Sequence, residues 1–173
     1  MINTVRLAMP AEAADIALVQ RRAWSEHPQL RGVLEQLPLE DATTVWHAAI
    51  TRPALASMRV LVALGEDGVV GFVVTQPADD PDAGAEVGQI GEFVVDPDAR
   101  RAGHGSRLMQ AAIDTLVTDG FTVATTWVPT SDDVMREFLR AAGWGPDGAH
   151  QEAGVESGEQ SVKLTRYHTA IGR

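Results

Sequence analysis

The sequence predicts one mixed α/β domain, and three observations carry that prediction. Two apolar runs, Arg59 to Ala63 and Val69 to Thr75, flank Gly65-Glu66-Asp67-Gly68, which signals an antiparallel hairpin. Further along, a strand-like run from Gln89 to Val95 leads through a glycine-bearing loop into a helical stretch and a second run, Phe121 to Val128. That order is a strand–helix–strand unit. Finally, 173 residues, 45% of them hydrophobic, are enough for one core, with no internal repeat or linker.

The remaining elements follow in order. Asn3 to Ala8 reads as a strand. Pro10 to about Trp24 reads as a helix, with proline in its first turn and Ile16, Leu18, Val19 and Ala23 apolar. Leu39 to Ile50 reads as a second helix, ended by Arg52-Pro53. The segment Trp24 to Val33 joins the two. After the loop, Leu108, Met109, Ala112, Ile113, Leu116 and Val117 recur at helical spacing, and Gly120 stops that helix. Ser131-Asp132-Asp133 offers N-cap residues to a helix from Asp132 to Ala142, stopped by Gly143. Alternation of Val162, Leu164 and Arg166 within Ser161 to Tyr167 marks a last strand.

The densest chemical signal is Phe93-Val94-Val95-Asp96-Pro97-Asp98-Ala99-Arg100-Arg101-Ala102-Gly103-His104-Gly105-Ser106. A strand enters a loop of pattern Arg-x-x-Gly-x-Gly that opens a helix. Helix N-termini present unpaired backbone N–H groups at the positive end of the dipole and bind phosphate. Gly103 and Gly105 let a ligand approach the backbone. Arg100 and Arg101 add two permanent charges with donor arrays suited to phosphate. The chemistry indicated is capture of a pyrophosphate. No Gly-x-x-x-x-Gly-Lys-Ser/Thr is present, and Leu108 stands where a dinucleotide fingerprint wants glycine or alanine.

Composition removes other classes. Without cysteine there is no disulfide, thiolate nucleophile or cysteine metal site. His27, His47, His104, His150 and His168 show no metal-binding spacing, so no metal is expected. No Gly-x-Ser-x-Gly elbow occurs. A formal charge of −10 speaks against nucleic acid or an anionic membrane as partner and is compatible with a cationic amine. No run approaches a membrane helix and the N-terminus has no signal-peptide core, so a cytoplasmic protein is expected. Four carboxylates between Ala78 and Glu86 read as a solvated hairpin tip.

The loop, with Val95-Asp96-Pro97-Asp98 before Arg100-x-x-Gly103-x-Gly105, resembles the acetyl-CoA pyrophosphate loop of the Gcn5-related N-acetyltransferase (GNAT) superfamily. Val5-Arg6-Leu7-Ala8 with Asp15-Ile16 is similar to that family's first strand and helix. Trp127-Val128 through Phe138-Leu139-Arg140-Ala141-Ala142-Gly143-Trp144 is similar to its fifth strand and fourth helix, so the resemblance covers almost the whole chain. It implies a mixed, mostly antiparallel twisted sheet of about seven strands flanked by about four helices, splayed between strands 4 and 5. It also implies acetyl-CoA as co-substrate, a small-molecule or peptide amine as acceptor, and allows a homodimer. Backbone groups of Phe93, Val94 and Val95 would meet the pantetheine arm, and the amides from Arg101 through Ala102, Gly103, His104 and Gly105 to Ser106 would wrap the pyrophosphate.

Acetyl transfer needs a base for the ammonium, a donor to the thioester oxygen and benefits from an acid for the thiolate. By resemblance Glu92, on the strand adjoining the cofactor, is the leading base; Glu86 is an outside candidate, and Gln89 cannot act as one. The family's fourth-helix pattern ends in tyrosine, the usual acid, where this chain has Leu139; Tyr167, its sole tyrosine, lies on the last strand and reads as structural. Asp132 replaces the pattern's asparagine, as a cap or a polar cofactor contact. Trp24, His27 and Trp46 border the acceptor region, with core packing the first reading for both tryptophans. The function implied is an acetyl-CoA-dependent N-acetyltransferase; the alternative is an acyl-CoA-binding sensor that has lost catalysis.

Overall fold

A computed structural model describes residues 4–154 and 161–172. Its elements run β1 (Thr4–Leu7), a 3-10 turn (Pro10–Glu12), α1 (Ala13–Trp24), α2 (Pro28–Gln36), α3 (Leu39–Thr51), β2 (Arg59–Gly65), β3 (Gly68–Pro77) and β4 (Val87–Val95). After a second 3-10 turn (Pro97–Ala99) come α4 (His104–Thr118), β5 (Val123–Pro129), α5 (Asp133–Ala141), β6 (Gly145–Gly154) and β7 (Ser161–Ala170). Among the described residues the strands are hydrogen-bonded in the order β1-β2-β3-β4-β5-β7-β6, mostly antiparallel, with β4 and β5 parallel. Parallel neighbours need a crossover, which α4 supplies.

The chain forms two compact units. The first comprises the chain up to Gln76 with Ile90–Thr115; the second comprises Pro77–Gln89 and the chain from Leu116 on. In the first, β1, β2 and β3 form an antiparallel meander in which Val62 pairs with Phe72 and Val60 with Val74. The β2–β3 turn closes on Gly65 and Gly68, the latter at φ 108, a conformation glycine adopts without penalty. Val60, Val62 and Phe72 pack with Ile16 and Val19 of α1 and Trp46 of α3 into one cluster. Trp46 meets Phe72 edge-on, ring centroids 4.9 Å apart. Leu61, Ala63 and Val73 are buried as well, so these strands are covered on both faces and read as continuous apolar runs.

α2 occupies what the sequence reading took as a connection. Its nine residues hold only Leu30, Val33 and Leu34 as a half-buried stripe, too short for periodicity to stand out. Pro28 opens it, and the Arg21 guanidinium donates to the carbonyls of Leu34 and Leu37 at its far end. Five α-helices are therefore present among the described residues, against about four expected. Pro10–Glu12 forms a 3-10 turn before α1 begins at Ala13. Asn3, the expected start of the first strand, lies outside the described residues.

In the second unit β7 pairs with β5 from Ala170↔Val123 to Leu164↔Pro129 and with β6 from His168↔Gly145 to Ser161↔Gly154. β6, sequence GPDGAHQEAG, has no strand pattern of its own; it is held by pairing with β7 through a register shift between Pro146 and His150. β7 runs three residues beyond the expected Tyr167. The acidic segment is largely exposed, with Asp79, Asp82 and Glu86 open to solvent, yet two of its carboxylates are partnered. Asp80 and Asp82 bind the Arg166 guanidinium of β7, and Asp147 of β6 completes its shell. Arg166 also lies over the Trp127 ring at 5.6 Å, while Trp127 Nε1 donates to Asp80 at 3.0 Å. Charge pairing across 86 positions of sequence is invisible to local composition.

Candidate active site

The candidate loop is built from the end of β4 outward. Gly71 of β3 lets the strands close up: a Cβ there would stand 2.8 Å from the Val94 carbonyl oxygen and 3.0 Å from Leu108 of α4. Asp96 N–H donates to the Val70 carbonyl at 2.7 Å, and the Asp96 carboxylate caps the Pro97–Ala99 turn by accepting from Asp98 N–H at 3.0 Å. Arg22 of α1 donates to the same carboxylate through Nε and Nη2, at 3.0 and 2.6 Å. Burial by itself would raise the Asp96 pKa; the Arg22 and Asp98 hydrogen bonds outweigh it and hold the group below its ordinary value. The loop is thus tied at its start to α1 by a charge-assisted pair.

Beyond this anchor the loop is open to solvent. Arg100 is exposed and paired with Glu26 at 2.8 Å, so its charge is shared with a carboxylate. Arg101 sits at φ 68, the left-handed region, alone among the described non-glycine residues, and Gly103 follows at φ 81. Ala102 is exposed, and its carbonyl accepts from Arg107 Nη2 at 2.8 Å. α4 begins at His104, which puts Gly105 and Ser106 in its first turn, where amides have no partner four residues back. The His104 ring is turned inward: the residue is 6% exposed, with Cε1 3.8 Å from where a Gly65 Cβ would be. Burial and then the Arg107 charge lower its pKa, so the ring is neutral at pH 7. His104 can serve an anion only through its backbone.

Glu92 lies on β4 four residues before Asp96 and is treated oppositely. Gln20 of α1 donates from Nε2 to both carboxylate oxygens, each at 2.9 Å, and Trp46 Nε1 donates to Gln20 Oε1 at 3.0 Å. Burial raises the Glu92 pKa, and Gln20 only partly offsets it. The strand's alternation breaks here. A Cβ on Gly91 would point at Val74, 3.4 Å away on the helix-facing side, and Glu92, the next residue, faces those helices too. Phe93, Val94 and Val95 follow half-buried, Val94 against the α1/α3 cluster.

Still within the first unit, Trp46 forms one wall of an apolar cavity with Val45, Ala49, Met58, Val60 and Val74, with Arg52 and Arg59 among its lining. Trp24, the last residue of α1, and His27, the N-cap of α2, are half-buried and do not line it. In the second unit Asp132 caps α5, accepting from Met135 N–H at 3.1 Å. Leu139 is fully buried, and the buried Tyr167 hydroxyl accepts from Arg136 Nε at 3.0 Å. Gln89 accepts from Asp79 N–H at 3.4 Å; Glu86 is exposed. Among the described residues no group of three or more His, Cys, Asp and Glu could hold a metal, and no helix is long and apolar enough to cross a membrane.

Sequence reasoning missed Gln20 and Arg22. A signal for Gln20 existed: it falls with Ile16 and Ala23 on the buried stripe of α1, where a polar residue needs a partner. Nothing local marks Arg22, whose partner is 74 positions away.

The model of the acetyltransferase (GNAT) family matches residues 19–144, from α1 to just past α5. A GCN5-related N-acetyltransferase from Kribbella flavida is 26% identical, with 98% of each chain covered and a TM-score of 0.73. A Salmonella typhimurium protein solved with its cofactor acetyl-CoA is 18% identical, covering 98% of this chain and 94% of that one, TM-score 0.72. A ribosomal-protein-alanine N-acetyltransferase from Brucella melitensis is also 18% identical, covering 97% and 99%, TM-score 0.72. No curated protein matches the sequence. With a match over more than half its length, the chain belongs to the acetyltransferase (GNAT) family.

Proposed function

We propose that the chain is an acetyl-CoA-dependent N-acetyltransferase that acylates a primary amine of a small molecule or peptide by direct attack in a ternary complex. The observation that carries this reading is one continuous segment holding both requirements: the half-buried carboxylate of Glu92 and, after it, the open Arg100–Ser106 turn leading into α4. The turn fits a pyrophosphate. Left-handed backbone at Arg101 and Gly103 leads into the first-turn amides of α4, and a Cβ at Gly103 would stand 3.0 Å from the Arg107 guanidinium, a further cation beside the turn. Acetyl-CoA would supply the thioester carbon.

In this reading the backbone amides from Arg101 to Ser106 hold the pyrophosphate, and the backbone of Phe93 and Val95 positions the pantetheine arm as an added strand. Glu92 takes the proton from the acceptor ammonium, which frees the nitrogen lone pair. Nitrogen bonds to the carbonyl carbon, the carbon–sulfur bond breaks with its electron pair leaving on sulfur, and the second proton of the nitrogen passes to that thiolate, leaving a neutral amide and free thiol. A raised pKa suits Glu92 to that task, since a carboxylate nearer neutrality is a stronger base. Leu139 stands in the core where the family's acid would be and Tyr167 is bound by Arg136, so the thiolate leaves without a tyrosine acid. Asp132 serves as a helix cap. We place the protein in the cytoplasm and treat the whole chain as one acetyltransferase domain.

The test is release of free thiol from acetyl-CoA across amines, polyamines, amino acids and short peptides, beside calorimetric CoA binding. Turnover with an amine establishes the activity and its acceptor class. Tight CoA binding without turnover on any acceptor would favour an acyl-CoA sensor, and no CoA binding would overturn both.

A further inference from the structure

The assignment of Glu92 as base leaves two buried polar side chains with no part in it. Gln20 and Trp46 are each 7% exposed in a layer otherwise built of Ile16, Val19, Val60, Val62 and Phe72. Polar groups in such a layer cost stability unless hydrogen-bonded, so their arrangement is informative. The indole N–H of Trp46 can only donate. The Gln20 atom facing it at 3.0 Å is therefore the carbonyl oxygen, which turns the NH2 group toward Glu92. That NH2 reaches both carboxylate oxygens at 2.9 Å.

We propose that Trp46 and Gln20 are positioning residues for Glu92: the indole N–H locks the Gln20 amide so that it presents only donors to the base and fixes the carboxylate's orientation. This rests on Glu92 being the base.

No charge shares that task. On α1, Arg21 is spent on the Leu34 and Leu37 carbonyls and Arg22 on Asp96, while Asp15 is exposed. On α3, Glu40, Asp41 and His47 are exposed. β3 carries no charged residue, and β4 none besides Glu92. Only burial and Gln20 act on Glu92, in opposite directions. A neutral donor stabilises the carboxylate without neutralising its charge, so the group keeps the basicity that burial confers. Were Gln20 replaced by arginine, the carboxylate would be a weaker base.

The test is the titration of Glu92, read by carboxyl carbon NMR on the full chain with its signal assigned by its loss in Glu92→Gln. It is compared with the acid limb of kcat/KM for the best amine. Gln20→Met, which keeps bulk and removes the donors, should move the midpoint up by about one pH unit. Trp46→Phe, which keeps the ring and frees the amide to turn its oxygen toward the carboxylate, should move it the same way by less. The acid limb should shift in step, with turnover retained at high pH and the amine KM nearly unchanged. Gln20→Glu sets two carboxyls to share a proton and should give the largest upward shift; it serves if Gln20→Met does not fold. Folded Gln20→Met or Gln20→Glu with the parental midpoint would overturn the proposal. A moved midpoint with an unmoved acid limb would keep the relay and overturn Glu92 as base.

Discussion

Two carboxylate sites, one in each compact unit, handle charge in opposite ways. In the first unit Glu92 has a neutral partner; Gln20 supplies two hydrogen bonds and no charge, and burial leaves the carboxyl pKa raised. In the second unit one guanidinium, Arg166, holds Asp80, Asp82 and Asp147, and its side chain is 12% exposed. Its own pKa is raised, first by the Asp82 hydrogen bond and against burial. A carboxylate clamped by arginine has its charge satisfied and is useful as a tie. One met by an amide keeps an unneutralised charge that can still take a proton. Asp96, four residues beyond Glu92, confirms the rule within one segment: given Arg22, its pKa falls, and it anchors the loop.

The sharpest break of this comparison is Glu92→Gln. Loss of a general base should lower kcat by about 10²- to 10⁴-fold, with CoA binding kept, as steady-state kinetics and calorimetry would show. Full turnover with an unaltered pH profile would return Glu92 to a structural role. Arg166→Met probes the other side. It strips Asp80 and Asp147 of their cation and should cost about 3 kcal/mol in denaturant unfolding, without the pH-profile change expected at Glu92. A loss within about 0.5 kcal/mol would mean the three carboxylates need no common partner.

The loop gives a smaller effect. Gly103→Asp places a carboxylate against the bound pyrophosphate in backbone that disfavours any side chain, and should weaken CoA by tenfold or more, about 1.4 kcal/mol. Unchanged affinity in the folded variant would remove the phosphate assignment. The smallest effect is the pH dependence of stability itself. Asp96, lowered in the fold, contributes stability above its ordinary value of 3.8 that is lost as pH falls through its folded value. Glu92, raised in the fold, contributes in the opposite sense: its contribution is full below 4.5 and is lost as pH rises through its folded value. Glu92→Gln should therefore be more stable than the parent at neutral pH and lose that advantage in acid, measured by chemical denaturation between pH 4 and 8.

Much of the Arg100–Ser106 turn was legible because its pattern is local. The glycine spacing, the two arginines and the apolar period of α4 lie within about 25 consecutive residues, and backbone amides bind phosphate whatever side chains surround them. The hairpin was equally plain, since a two-residue turn between β-rich runs leaves few alternatives. Two elements failed for a common reason. α2 is too short to show a period, and β6 has no strand propensity and exists because β7 pairs with it. The pairing of the exposed acidic segment was not legible because its partner, Arg166, is more than 80 residues away.

The sequence by itself determined the class of fold, the family and the position of a glycine-bearing strand–loop–helix turn, all of which follow from local pattern and backbone chemistry. It also put a carboxylate on β4. Only tertiary structure decided what that carboxylate became, by bringing Gln20 from 72 positions away and Trp46 from a third element. It likewise decided that Arg100 shares its charge with Glu26 and that the His104 ring faces inward. A pKa is set by burial and by whichever partner lies within hydrogen-bond reach, and both are properties of the packed chain.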